Sequence, residues 1–321
     1  MSSGAAGDGI RVVIDEASFD FRRLSPNVIE EYLHSFTQAV GKLRDDSVEP
    51  RKPPEMAYAP CTDEDGLYEY LWSDRARSID PETRRDFFVQ IGNCPDWDES
   101  APSAVDVSIE GSEPAMALSV GFALWNVRRG HGVSCLVFGV CGRAGFLSAR
   151  DADGEKRIFF FADAGTLKEF WRDLYTLEKV PEAEFLTLTS RAFPSIDFCA
   201  GLTFRRFETT QGLMADVIRH LAVLNDHFMA VAAECKWEPE KIQARLRPLG
   251  IAGVSRESTN TRHNDRLMHL RDVLHQGREI RCEWHTKIEL HRNRIHFAFG
   301  EEYDSASERI FVGIFVRHLP A

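Results

Sequence analysis

The stretch "EWHTKIELHRNRIHFAFG", residues 283–300, concentrates polar side chains in a pattern that indicates β-structure. It holds three histidines, two arginines and a lysine in eighteen positions. Apolar and polar residues alternate on both sides of a short polar turn, as they do in antiparallel strands with one buried face. The pattern therefore predicts a β-hairpin, and the side chains on its polar face are the first candidates for chemistry.

Strand alternation sorts these residues into two faces. The expected core face of the first strand carries Cys282, Trp284, Thr286, Ile288 and Leu290. The opposite face carries His285 and Lys287, and the second strand adds Arg294 and His296, whereas His291 falls in the turn. Neighbours on one face lie about 6.6 Å apart along a strand and about 4.8 Å apart across strands. The four side chains would therefore form a patch of the size of a phosphate and its flanking sugars.

A third run, "RIFVGIFVRHL" at 309–319, predicts a closing strand that is more central because it is apolar on both sides. Cationic side chains can hold a phosphate and stabilise charge during phosphoryl transfer, and histidine can move protons near neutral pH. We predict His285, Lys287, Arg294 and His296 as catalytic residues. We predict Arg292, Arg317 and His318 as substrate-binding residues, with no metal and no cofactor. The solvated face of an ordinary sheet explains the same pattern about equally well.

The C-terminal segment resembles the RelE/ParE-like toxin fold. The similarity rests on a predicted helix at 265–277, the strands "CEWHTKI" and "NRIHFAF", and the closing run "RIFVGIFVRHLP". "NRIHF" is similar to the Y-R-I-x-Y/F strand of that superfamily, and the closing run is similar to its last strand, which often ends in a basic or His-Arg pair. The similar region spans about 60 of the 321 residues. Asn293 stands where the family has an aromatic residue, and no tyrosine follows His318.

That resemblance implies metal-independent cleavage of mRNA on the ribosome by Lys, Arg and His or Tyr side chains. It also implies an antitoxin as the protein partner. The segment further resembles uncharacterised bacterial proteins, some of them associated with phage-defence loci, which implies a role in antiviral defence. The rival hypothesis is a non-enzymatic subunit of a multi-protein bacterial defence complex that uses the same surface for docking.

The whole chain predicts an α+β fold. Residues 1–9 read as a flexible leader and residues 10–250 as a mixed α/β region that regulates the module or binds a partner. Within that region, three runs around residues 133–163 predict a three-strand meander, and the acidic loop 95–104 is a possible internal boundary. Residues 251–321 form the predicted helix and antiparallel sheet module.

Composition limits the class of protein. The net charge is −11, which argues against nonspecific binding of polyanions by the whole molecule. Residues 255–321 depart from this acidity, because they carry eleven Lys and Arg against ten Asp and Glu, and seven of the eleven histidines. Seven scattered cysteines without a C-x-x-C pair predict reduced, mostly buried thiols in a cytoplasmic protein. No apolar run approaches the roughly 20 residues that span a bilayer, so no membrane partner is expected.

Two other hypotheses remain open. Residues 238–270 can be read as a helix-turn-helix DNA-binding regulator with five arginines facing phosphates: Arg245, Arg247, Arg256, Arg262 and Arg266. Asp15, Glu16 and Asp20 follow a predicted strand, in the manner of a metal-dependent nuclease of the PIN type, although acids after a strand are usually solvated.

Overall fold

A computed structural model of the chain describes residues 9–97, 105–112, 115–208, 212–251, 253–289, 292–300, 303–304 and 308–320. Most of the predicted leader and of the acidic loop 95–104, as well as His291, lie outside these residues. Packing divides the chain into two compact units, Met1–Phe170 and Trp171–Ala321. The predicted segment boundary near residue 250 lies inside the second unit. Both units combine helices with mixed sheets, so the α+β prediction is confirmed.

The first unit surrounds a six-stranded sheet of order β1-β4-β6-β5-β2-β3. Its elements are β1 (Val12–Ile14), α1 (Pro26–Asp45), α2 (Leu67–Trp72), α3 (Pro81–Asn93), β2 (Val105–Ile109), β3 (Ala115–Ala117), α4 (Ser119–Arg128), β4 (Ser134–Leu136), β5 (Gly145–Asp151) and β6 (Gly154–Phe161). Helix α3 begins after Asp80, whose side chain caps it by accepting a hydrogen bond from the backbone N–H of Thr83 at 2.9 Å. Buried side chains of β1, β4, β6 and α4 form one apolar core.

The three strands predicted as a meander all form, but they pair in another order. β5 and β6 form an antiparallel hairpin, whereas β4 runs parallel to β6 instead of pairing with β5. The segment between β4 and β5 includes a 3₁₀ turn at Gly139–Cys141 whose cap, Gly142, has a φ of 60°. β4 is also parallel to β1, so three parallel strands lie side by side at one side of the sheet, with β1 at its edge.

The second unit is built on a five-stranded sheet of order β7-β13-β12-β11-β8 and a separate hairpin of β9 and β10. Helix α5 (Lys168–Leu177) spans the boundary between the units. The other elements are α6 (Thr189–Ala192), β7 (Ile196–Phe198), α7 (Leu213–Val223), α8 (Met229–Glu234), α9 (Pro239–Leu246), β8 (Val254–Arg256), α10 (Thr259–Arg262), α11 (Asp265–Met268), β9 (Asp272–His275), β10 (Arg278–Arg281), β11 (Trp284–Lys287), β12 (Arg294–Phe299) and β13 (Ile310–Val316).

One face of this sheet packs on the α7–α8 segment, which a π-helical turn at Leu224–Phe228 divides. Phe228 lies against Trp284, Phe297 and Phe299, with ring centroids 5.1–5.8 Å apart. The predicted central position of the closing strand is confirmed, because β13 lies between β12 and β7. It pairs antiparallel with β12 and parallel with β7.

Three predicted elements of this unit differ in the structure. The predicted helix at 265–277 is limited to α11 and a 3₁₀ turn, and its second half becomes β9. The run "EIRCEWHTKIEL" breaks after Arg281 into β10 and β11, which belong to different sheets. The run "LTFRRF", residues 202–207, has a composition that predicts a strand, but it forms a 3₁₀ turn at Phe204–Arg206. The hydroxyl of Thr203 favours this turn by accepting a hydrogen bond from the N–H of Arg205.

Candidate functional site

The four predicted catalytic residues face one another on two neighbouring strands. In the antiparallel pair of β11 and β12, His285 lies opposite His296 and Lys287 lies opposite Arg294. The two imidazole ring centroids are 5.2 Å apart. Trp284 and Thr286 point to the opposite face, as the alternation predicts, and pair with Phe297 and Ile295. The sequence therefore predicts correctly which side chains meet.

The predicted solvation of this face is wrong. His285 is 3% exposed, Arg294 8% and His296 0%. Side chains of the β9–β10 hairpin and of the C-terminal tail pack on the same face, where they form an apolar cluster with β12 and β13. Cys282 belongs to this cluster, and not to the core beside Trp284, because the chain crosses from β10 to β11 at that point.

Two charged residues that the sequence reading did not select complete the buried cluster. Glu257 directly follows β8, and Arg271 precedes β9; they are 5% and 0% exposed. The Oε1 atom of Glu257 lies 3.1 Å from Arg271 Nε, 3.4 Å from His285 Nδ1 and 3.8 Å from His296 Nδ1. The guanidinium of Arg271 also donates hydrogen bonds to the backbone carbonyls of Leu267 and Pro320.

Burial and charge fix the protonation of the cluster. Burial opposes ionisation of Glu257, but contacts with His285 and Arg271 outweigh it and hold the pKa of Glu257 at about 2. Burial, reinforced by His285, lowers the pKa of His296 to about 3. Burial also lowers the pKa of His285, although the carboxylate of Glu257 opposes this shift. At neutral pH the cluster therefore contains one carboxylate and two neutral imidazoles.

Lys287 and Arg294 are cations without an ion-pair partner among the described residues. No carboxylate there forms an ion pair with Arg294, and its Nε atom is buried without a hydrogen-bond partner. Burial lowers the pKa of Arg294, which reflects the cost of keeping this charge away from water. The stem of Lys287 lies on Gly253, where an added Cβ would be 3.1 Å from its Cδ atom. Burial lowers the pKa of His318, and the nearby charge of Arg294 lowers it further.

The two other predicted substrate-binding residues lie at the exposed edge of this surface. Arg317 Nε is 3.2 Å from Glu208 Oε2, and Arg292 Nε is 4.0 Å from Glu208 Oε1. The same carboxylate therefore partly neutralises both arginines. Their side chains are exposed to solvent, unlike that of Arg294.

The arginines of the helix-turn-helix reading are distributed over different elements. Strand β8 lies between α9 and the four-residue helices α10 and α11. Arg256 donates two hydrogen bonds to the carboxylate of Glu283, Arg262 lies 3.5 Å from the same carboxylate, and Arg245 pairs with Glu234. These three guanidiniums thus have carboxylate partners within the protein.

The acids of the PIN-type reading also have partners in the first unit. Asp15 contacts Arg143 at 2.8 Å and accepts a hydrogen bond from the hydroxyl of Ser119. Glu16 accepts hydrogen bonds from backbone N–H groups at the start of α4. Burial, together with the charge of Asp15, raises the pKa of Glu16. Asp20 is paired with Arg22, so all three acids stabilise local structure.

Comparisons with models of protein families, with curated proteins and with solved structures find no significant match for this chain. The resemblance to RelE/ParE-like toxins therefore stays a prediction. Within the described part of the chain, no helix is both long enough and apolar enough to span a bilayer. All seven cysteines are free thiols, and five of them are buried, as predicted.

Proposed function

We propose that the second unit is an RNA-binding module that holds a phosphate between Lys287 and Arg294, with His318 beside them. The proposal rests on one observation above all, the unpartnered and nearly buried guanidinium of Arg294. A buried charge without a partner is costly, so it is kept where a ligand supplies the opposite charge. A guanidinium can form two parallel hydrogen bonds with a phosphate, which suits Arg294 to this role.

Lys287 and Arg294 lie opposite each other in register and would approach one phosphate group from two strands. Arg292 and Arg317 at the exposed edge would contact neighbouring phosphates, because a phosphodiester chain extends beyond a single group. RNA is proposed because the resemblance in the C-terminal segment implies it. Cytoplasmic localisation, a ribosomal target and an antitoxin or defence-complex partner belong to the same proposal.

Cleavage of the bound RNA is a further part of the prediction. His285 lies two residues before Lys287 on the same face and borders the proposed phosphate position, whereas His296, opposite His285 in the strand pair, is completely buried. Under this proposal the 2′-hydroxyl of the RNA attacks the adjacent phosphorus and gives its proton to His285. The bond to the 5′-oxygen of the next nucleotide breaks, this oxygen leaves with a proton, and Arg294 stabilises the charge that develops on the phosphate. Cleavage of 5′-labelled RNA by the wild type, and its loss in His285→Ala, would support this step.

Binding of labelled single-stranded RNA, followed by fluorescence anisotropy at several salt concentrations, tests the proposal. We expect Arg294→Ala to weaken binding about 10- to 100-fold, because a hydrogen-bonded charge contributes about 1.5–3 kcal/mol. Lys287→Ala should weaken RNA binding less than Arg294→Ala does. It should also reduce the slope of log affinity against log salt concentration by about one, which corresponds to the loss of one phosphate contact. The matched control is Arg245→Ala, which removes an arginine already paired with Glu234 and should leave binding unchanged.

Stability distinguishes a binding arginine from a structural one. Removal of an unpaired buried charge should leave the free energy of unfolding of Arg294→Ala unchanged or higher. A loss of stability without any loss of RNA binding would assign Arg294 to the fold. Equal RNA affinity in wild type and Arg294→Ala would contradict the proposal and favour the rival, in which this surface docks a protein.

A further inference from the structure

The buried cluster behind the proposed phosphate position contains three groups of the types that bind transition metals. Glu257 directly follows β8, His285 lies in β11 and His296 in β12, so three neighbouring strands supply one residue each. One ligand atom from each residue lies within 4.8 Å of the other two. We infer that Glu257, His285 and His296 bind a divalent first-row transition-metal ion, through Oε1 of the carboxylate and one ring nitrogen of each imidazole. This inference does not rest on the proposed RNA-binding function, and it excludes the proton transfer proposed for His285 while the ion is bound, because a coordinated imidazole cannot exchange that proton.

The separations suit coordination better than direct hydrogen bonding. Glu257 Oε1 lies 3.4 Å from His285 Nδ1 and 3.8 Å from His296 Nδ1. Bonds of about 2.0–2.1 Å to a tetrahedral ion place two ligand atoms about 3.3 Å apart. The first separation matches this value, and the second requires a shift of a few tenths of an ångström. Two histidines and one carboxylate with an open position are a ligand set of catalytic zinc and non-haem iron sites.

Unpartnered polar atoms converge at the same point. Both ring nitrogens of His296 are buried and have no hydrogen-bond partner among the described residues. The same holds for Nδ1 of His285. Each buried polar atom without a partner costs about 1–3 kcal/mol. A metal ion bound by one nitrogen of each imidazole would give a partner to two of these three atoms, and Oε1 of Glu257, which contacts Arg271, would supply the third ligand.

The protonation states are those that coordination requires. A metal binds neutral imidazole and ionised carboxylate. Burial lowers the pKa of both imidazoles, and the contacts of Glu257 lower its pKa to about 2, so these forms are present at neutral pH. His285 Nε2 lies 3.3 Å from the hydroxyl of Ser255, so this nitrogen can donate while Nδ1 binds the ion. Arg271 Nε contacts the same carboxylate oxygen of Glu257 at 3.1 Å. Such second contacts fix the tautomer and orientation of metal ligands.

Two guanidiniums close to the cluster influence what completes the coordination. Arg271 lies 3.1 Å from the carboxylate oxygen, and the charge of Arg294 interacts with both Glu257 and His296. The positive charges of these guanidiniums disfavour a metal ion bound without an anion and favour a metal ion that carries an anionic ligand. The open position should therefore take an anionic ligand, such as hydroxide or a phosphate oxygen. Added inorganic phosphate should accordingly strengthen metal binding in the wild type.

Metal titration of the full-length chain tests the inference. The protein is stripped with EDTA and titrated with Zn²⁺ by calorimetry, and with Co²⁺ by visible absorption. We expect one Zn²⁺ per chain, a raised melting temperature and cobalt bands of a nitrogen–oxygen site without thiolate charge transfer. His296→Gln and Glu257→Gln should reduce the stoichiometry from one to zero, with circular dichroism confirming that each variant is folded.

A second cluster in the described part of the chain provides the matched control. His269, Asp272 and Glu279 also bring three ligand atoms together, but His269 and Glu279 are exposed and Asp272 is paired with Arg281. His269→Ala should keep full Zn²⁺ binding. Lys287→Ala should also keep it while RNA binding falls, which separates failure of this inference from failure of the proposed function.

Several outcomes would overturn the metal site. These are the absence of Zn²⁺ and Co²⁺ binding by the wild type at micromolar concentrations, thiolate bands in the cobalt spectrum, and undiminished binding by folded His296→Gln. If His296→Gln does not fold, His285→Asn takes its place. If neither variant folds, the ring ¹⁵N shifts of wild-type His285 and His296 on Zn²⁺ addition decide, and unchanged shifts contradict the inference.

Discussion

His220 is a buried imidazole that joins helix α7 to the apolar face of the second sheet. Its Nδ1 atom lies 2.6 Å from the hydroxyl of Thr286, and the residue is 2% exposed. Burial, with a small contribution from the charge of Arg219, lowers the pKa of His220 to about 4. The folded protein therefore keeps this imidazole neutral at pH values where an unfolded chain binds a proton.

This difference predicts a loss of stability in mild acid. The contribution of neutral His220 is complete above the unfolded pKa of about 6.5 and is lost as the pH falls towards 4. The free energy of unfolding should fall by about 1.4 kcal/mol per pH unit in this window from His220 alone. Urea unfolding of wild type and His220→Gln between pH 7 and 4.5 measures it. The variant should show a shallower dependence by one proton, and identical slopes would contradict the assignment.

The residues of the candidate site show how far sequence reading reaches. The period of two assigned His285, Lys287, Arg294 and His296 to one face, because alternation depends only on local geometry. It could not predict their burial, which depends on a hairpin and a tail that fold back from other parts of the chain. Glu257 was missed because it lies in a polar run that resembles a loop.

Strand β13 contains an irregularity that shapes the cluster at its neighbour. His296 pairs with Ile314 and Phe297 with Val312, so Gly313 is an extra, unpaired residue. A Cβ at this position would lie 2.5 Å from Cys282 Sγ. The glycine thus allows the covering hairpin to approach the strand closely. A lone glycine inside an apolar strand indicates a bulge or the close approach of another segment. Gly313 is such a glycine, so the sequence itself indicates this irregularity.

Gly313→Ala should therefore destabilise the protein by about 1–3 kcal/mol, the usual cost of overfilling a packed core. Cys282→Ala removes the nearest clashing atom, so the double variant should recover part of the loss. Phe311 and Val273 remain 3.1 Å from the added Cβ and limit the recovery. Denaturant unfolding of the two single variants and the double variant gives the coupling. Strictly additive effects would show that the hairpin does not press on Gly313.

The first strand and the turn of the β9–β10 hairpin were predicted as the second half of a helix. Leu267, Leu270 and Leu274 follow a helical spacing, which is why the pattern favoured a helix through residue 277. A turn forms instead of a helix at this point, because Gln276 and Gly277 have φ values of 49° and 79°. Two consecutive positive φ angles are the mark of a two-residue hairpin turn, and glycine at the second position favours it. The helical spacing of the leucines alone does not show that this turn forms in place of a helix.

At the scale of the whole chain, α+β character was predictable because the helical and strand periods are strong in separate segments. The set of strands that form the second sheet could not be predicted in this way. Its edge strand β7 comes from residues 196–198, more than fifty residues before β8 at the other edge. The helical segment with Phe228 covers one face of the same sheet. Such pairings join distant parts of the sequence, and no local pattern records them.

The extent of the second unit predicts which fragments fold. Residues 171–321 contain the whole five-stranded sheet and its helical cover, so this fragment should give a cooperative thermal transition and dispersed amide signals. Residues 251–321 lack β7 and expose the rings of Trp284, Phe297 and Phe299, which pack on Phe228 in the complete unit. A chain of about 70 residues rarely gains more than about 3–5 kcal/mol from its core, and each aromatic ring buries about 150–250 Å². Losing that cover should leave residues 251–321 unfolded or aggregated.

Circular dichroism melts and amide spectra of both fragments provide the comparison, with the full chain as the control. A cooperative transition in residues 251–321 alone would instead show that the C-terminal segment is a domain by itself.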